Sequence, residues 1–198
     1  MTSDRTAAQA TIDAVREQPS GIRVAGRRFE LAPHHCFACG ELNEHGLHLT
    51  LHGDERGCWT ELVLDDRFEG WHGIAHGGIL ATILDEVGAW SVIAHGGWGV
   101  TARMWIDFRR PAAIGQPIRA EGRVTASRRR VYETASQVLD AGDRTVLATS
   151  TATFVAATGE QRAALAARYG LDTTDVADET GAPETPDRVD RRSGRAGS

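Results

Sequence analysis

The chain has no lysine. All 22 of its cationic side chains are arginine, so Schiff-base chemistry and a phosphate loop built on lysine are excluded outright. Cysteine is scarce. The three present among 198 residues form no regular framework, which fits a reducing compartment and not a disulfide scaffold. No uninterrupted apolar run reaches about 18 residues, and the N-terminus lacks the charged-then-apolar order of a secretory signal. Positive charge is not in excess either: the formal net charge is -5, which argues against a nucleic-acid-binding surface. These absences lead us to expect a cytoplasmic protein with no nucleic-acid partner and no membrane.

What is present is enough for a core. Hydrophobic residues make up 41% of the chain, sufficient for one domain of about 120 to 150 residues plus tails. Residues 4–17 (DRTAAQATIDAVRE) are good helix formers behind a Ser3 cap, so residues 1–33 read as an N-terminal helical extension. LHLTLHG, from Leu47, alternates apolar and polar residues; a GDERG turn and CWTELVL follow, predicting a hairpin. A long apolar helix is expected from Gly77 to Ala94. Four strand-like segments come next, the first (VTARMWIDFRRP) placing Ala102, Met104, Ile106 and Phe108 on one face. By the same parity Thr101, Asp107 and Arg109 should share the other. GEQRAALAARYG predicts a short helix within 158–171, and the polar stretch 172–198 is expected to be disordered. The class is α+β. A sheet of five or six strands with one helix must wrap that helix or bury its remaining surface against a partner.

Chemistry concentrates in residues 73–90, GIAHGGILATILDEVGAW. Gly77 and Gly78 sit where the helix begins, where amide N–H groups lack intrahelical partners and the dipole adds partial positive charge. Such an amide can stabilise a developing oxyanion; a tight turn would equally favour glycine. Spacing alone leaves both open. The repeated His-Gly-Gly at residues 95–97 follows the helix and reads as a C-cap. Of the two central carboxylates, Asp85 has small helical neighbours (Gly78, Ala81, Thr82, Gly88, Ala89), whereas Glu86 has bulkier ones, including Ile79, Ile83 and Trp90. Asp85 is therefore the reactive candidate.

HGGILATILDE, followed sixteen residues after its aspartate by Thr101 in TARMWIDFRRP, resembles hotdog-fold acyl-CoA thioesterases of the PaaI-like branch. CFACGELNEHGLHL resembles the segment that often precedes the core in the superfamily's mammalian-type members. The resemblance covers roughly residues 34–157. It implies a hotdog fold, an antiparallel sheet wrapped around one central helix, with protomers paired into a homodimer, or further into a tetramer, and sites at their interface. It implies hydrolysis of acyl-CoA to free acid and coenzyme A with no cofactor, since coenzyme A is part of the substrate. It maps the essential carboxylate onto Asp85, the oxyanion-binding amide onto Gly77 and the water-orienting hydroxyl onto Thr101. His76 would lie beside the thioester, holding the loop or contacting the carbonyl. Where many relatives carry Asn or Gln before the HGG, this chain has Glu69, Gly70 and His72.

Two other groupings compete for roles. Cys36-x-x-Cys39, beside His34 and His35, invites a zinc reading, but a structural site needs four ligands and no second CxxC exists; a packed loop is the preferred reading, and no metal is expected. Arg128, Arg129 and Arg130 open one predicted strand, and Arg109 ends another near Asp107. Coenzyme A carries three phosphate groups, so these residues are its candidate contacts. The alternatives to a hydrolase are a hotdog dehydratase or hydratase and a non-catalytic acyl-CoA-binding protein.

Overall fold

The structure is a computed structural model that describes residues 21–24, 27–29 and 32–169. In chain order its elements are β1 (Gly21–Val24), β2 (Arg27–Phe29), β3 (His52–Asp54), β4 (Gly57–Val63), β5 (Glu69–Trp71), β6 (Ile74–Ala75), α1 (Gly77–Ala94), β7 (Gly99–Phe108), β8 (Pro117–Arg128), β9 (Val131–Asp140), β10 (Val146–Ala156) and α2 (Gly159–Tyr169). One sheet of eight strands runs β2-β1-β3-β4-β8-β9-β10-β7, and β5 and β6 form a separate ribbon. Pairing is antiparallel throughout, except between β1 and β3.

The helix α1 organises the core. It spans the expected Gly77–Ala94, and Leu80, Ile83, Leu84 and Val87 recur at helical spacing and are all but completely buried. They meet Leu49, Leu51, Ile118 and Val138 in one cluster, and Val92 meets Phe154 in a second. Burying an aliphatic or aromatic side chain of this size stabilises by about 1.5 to 3 kcal/mol. By length and composition alone α1 is long and apolar enough to cross a membrane; here its apolar residues pack on the sheet. Contact is close: a Cβ on Gly122 of β8 would lie 2.8 Å from the Val87 carbonyl oxygen of α1.

Several expectations need correcting. Among the described residues the sheet has eight strands, not five or six, because β1 and β2 extend it beyond β3. The described part of the 1–33 extension is therefore strand, not helix; the helix expected over 4–17 and the tail 172–198 lie outside the described residues. Only His52–Asp54 of LHLTLHG is strand. Leu47 and Leu49 instead donate to the carbonyls of Phe37 and Ala38, and His48 between them has a φ of 50°, which breaks the extended path. A bulge also interrupts β7. Thr153 pairs with Arg103 but Phe154 pairs with Thr101, so Ala102 is the extra residue and parity reverses across it.

Candidate active site

The site begins at the N-terminus of α1. The Nδ1 of His76 accepts from the Gly78 N–H at 2.9 Å, and its carbonyl accepts from Ile79. His76 is thus the N-cap, its ring spent on holding the turn. The Gly77 N–H, at the first helical position, has no intrahelical acceptor. A side chain there would meet the Phe108 ring, 3.3 Å from the position of a Cβ.

Eight residues on, Asp85 is half-buried, and the Thr101 hydroxyl donates to its Oδ1 at 2.7 Å. The bulge at Ala102 makes this contact available by turning Thr101 toward α1. It also separates residues that parity had grouped, because Asp107 now faces away from the helix. On that outer face a cavity of ≈ 620 Å³ is lined by Trp59, Trp105, Asp107, Arg119, Glu121 and Gln137, and contains neither Asp85 nor Thr101. Asp107 pairs with Arg109 at 3.2 Å, at the end of β7 where Phe108 meets Gly77.

Glu86 has a different setting. Its Oε1 accepts from Trp90 Nε1–H at 2.9 Å, and its Oε2 lies 4.0 Å from Cys36 Sγ. Burial, reinforced by the charge of Cys36, pushes its carboxyl up to about 7. Cys36 itself is held down to about 5, chiefly by a hydrogen bond from the Cys39 thiol, against an upward push from burial. The same bond, with burial, pushes Cys39 strongly up. His34 Nε2 is 3.4 Å from Cys39 Sγ.

The arginines occupy the turn between β8 and β9. Arg128, Arg129 and Arg130 are exposed, Arg129 has a φ of 52°, and Arg130 donates to the Ala156 carbonyl at 2.9 Å. Through the ladder Tyr132–Phe154–Thr101, this turn lies at the Thr101 end of the sheet. Two clusters result within the chain. Asp85, Thr101 and the arginine turn share one end; His76, Gly77, Asp107 and Arg109 share the other. Along α1 Gly77 and Asp85 are about 12 Å apart, too far to serve one carbonyl.

A model of the thioesterase superfamily matches residues 72–147, the stretch that holds the α1 N-cap, Asp85, Thr101 and strands β7, β8 and β9. That stretch is similar to the thioesterase superfamily. Its fold is the hotdog fold. No curated protein matches the chain. Among solved structures, the smu.793 protein of Streptococcus mutans UA159, bound to acetyl CoA, is 21% identical with a TM-score of 0.53 over 60% of this chain and 97% of that one. The E. coli PaaI protein from the phenylacetic acid degradation operon is 18% identical, with a TM-score of 0.50 over 54% of this chain and 75% of its own. Two variant structures of a hypothetical thioesterase from Streptococcus pneumoniae TIGR4 are each 17% identical, with a TM-score of 0.50 over 52% and 84%. In one an aspartate is replaced by alanine, in the other a threonine sixteen positions later.

Within the matched stretch, the residue that sequence reasoning undervalued is Glu86. It reaches across fifty positions to Cys36. The only signals in the sequence were a second acidic residue in an apolar helix and a CxxC short of ligands.

Proposed function

We propose that this protein hydrolyses acyl-CoA thioesters at sites shared between the two protomers of a homodimer. The observation that carries the reading is the 2.7 Å Thr101–Asp85 hydrogen bond beneath the open edge of β7. A thioester is an activated carbonyl with a good leaving group, so a carboxylate and one oxyanion donor are chemically sufficient. Asp85, oriented by Thr101, takes a proton from the attacking water, or attacks the carbonyl carbon itself. The Gly77 N–H stabilises the oxyanion, and collapse expels coenzyme A as its thiolate. On the water route the thiolate takes up the proton held by Asp85. On the nucleophilic route water then cleaves the acyl–Asp85 anhydride, releasing the acid, restoring the carboxylate and supplying the proton to the thiolate. The sixteen-residue spacing of the two alanine sites in the pneumococcal protein is also that of Asp85 and Thr101.

The dimer follows from the separation of the two clusters. β7 is the last strand of its sheet and exposes Val100 (67%), Trp105 (71%) and Phe108 (56%); a long apolar edge of this kind demands a partner. A second copy pairing antiparallel along β7 about a two-fold axis exchanges strand ends. Gly77 and Phe108 of one protomer then approach Asp85 and Thr101 of the other. The arginine turn lies at the mouth of that shared site, placed for the phosphates of coenzyme A. Three free cysteines fit a reducing, cytoplasmic setting.

The test is thiol release from a panel of aliphatic and aromatic acyl-CoAs, followed with a thiol-reactive dye. Release establishes hydrolysis and reads the acyl preference. Binding without release across the panel refutes the hydrolase and leaves an acyl-CoA-binding protein.

A further inference from the structure

We infer that Cys36, Cys39 and Glu86, with His34 as the fourth donor, form a zinc site that pins the loop ahead of β3 to the central helix. The two Sγ atoms and a Glu86 carboxylate oxygen all lie within 4.8 Å of one another, and His34 Nε2 is 3.4 Å from Cys39 Sγ. Ligands at zinc's bond lengths sit about 3.3 to 3.8 Å apart around a tetrahedron. Cys36, Cys39 and Glu86 reach that spacing by contracting gaps such as the 4.0 Å between Cys36 Sγ and Glu86 Oε2. His34, beside Cys39 but outside the 4.8 Å group, completes the tetrahedron by swinging its ring toward the other two.

The surroundings are built for it. The Gly40 N–H donates to the Cys36 carbonyl at 2.9 Å, closing the CFACG turn tightly; a Cβ at Gly40 would collide with the backbone of Cys36 and His34. His34 Nδ1 is 3.0 Å from the Ala32 carbonyl, which places its proton on Nδ1, and Nε2 lies beside the Cys39 thiol. Trp90 Nε1–H holds Glu86 Oε1, leaving Oε2 for the metal. Such outer bonds fix the orientation of metal ligands. A redox pair of cysteines would require neither His34 nor Glu86, whereas a metal requires both. Two thiolates select zinc over magnesium or calcium. Because the protein fills all four positions, the site is structural and not catalytic. Binding sends the remaining thiol protons to solvent.

The test uses the full chain, purified reduced, supplied with zinc sulfate, desalted and measured by elemental analysis. One zinc per chain is expected. Cobalt(II) in its place should give the thiolate-to-metal charge-transfer band of a tetrahedral site. Trp90→Phe, which releases Glu86 Oε1, should weaken zinc binding roughly 10- to 100-fold against a competing chelator. Asp85→Asn should lose turnover and keep the zinc, which separates failure of this site from failure of the thioesterase reading. Reduced protein that leaves the column free of metal overturns the proposal, and so does a cobalt form with no charge-transfer band. Zinc retained by a Cys36→Ser, Cys39→Ser double variant at the wild-type level overturns it too.

Discussion

At the scale of single residues, two adjacent carboxylates are separated by what their neighbours leave free. Both oxygens of Glu86 are engaged, one by the Trp90 indole and the other by the thiol cluster. Asp85 receives one hydroxyl on Oδ1, and among the described residues its Oδ2 accepts nothing. Only Asp85 can therefore meet a water or a carbonyl. Asp85→Asn removes the charge without changing shape, and loss of a general base typically costs ~10²- to 10⁴-fold in rate. In single-turnover hydrolysis we expect a loss of that size with substrate binding kept. Glu86→Gln should cost far less. If Glu86→Gln is the dead variant and Asp85→Asn the active one, the assignment is reversed; if both are active, the mechanism proposed here is wrong.

Among the elements, the contact between helix and sheet is set by small residues. Gly122 faces the backbone of α1, and the atom a Cβ would meet is the Val87 carbonyl oxygen, which has no rotamer by which to withdraw. Gly122→Ala should therefore destabilise by about 1 to 3 kcal/mol, as overpacking does, despite the alanine's gain in strand preference over glycine. Urea denaturation should show a lower midpoint at an unchanged slope; a midpoint at or above the wild type would mean that α1 can move away. The β8–β9 turn makes a separate prediction. Arg128→Ala should raise KM for acyl-CoA by about 10- to 150-fold if it loses one charge-assisted phosphate bond, and should leave short pantetheine thioesters unaffected. An equal loss on both substrates would make the arginine structural.

The limits of the sequence are clearest at this same scale. α1 was legible to the residue, because an apolar run bounded by two His-Gly-Gly tripeptides carries its own start and stop. The sixteen-residue step from Asp85 to Thr101 was equally plain. The face of β7 was not. Strand parity put Thr101 with Asp107, and only the pairing of Thr101 with Phe154 reveals the bulge that sends them to opposite faces; register is a property of two strands and cannot be read from one. The failed strand at Leu47–Leu51 has a related cause, since the Leu47 and Leu49 amides are claimed by the carbonyls of Phe37 and Ala38 far upstream. Glu86 and Cys36 lie fifty positions apart, and no local pattern announces their meeting.

For the whole molecule, the decisive fact is that Gly77 and Asp85 cannot serve one carbonyl while they share a helix. The proposed pairing of two copies along β7 would resolve this by giving each site the amide of one protomer and the carboxylate of the other. Gly77→Val should close the approach to the helix amide, and Asp85→Asn should remove the carboxylate, so each variant alone should be inactive. In a mixed dimer both defects fall in the same site, and the other site is whole. Co-refolding the two variants in equal amounts should thus restore up to about a quarter of wild-type turnover, since half of randomly paired dimers are mixed and each holds one intact site. Sedimentation must show a dimer at the assay concentration. If the mixture stays as inactive as its parents while mixed dimers are present, the amide and the carboxylate do not meet across the interface. A stable, active monomer would remove the need for the interface altogether.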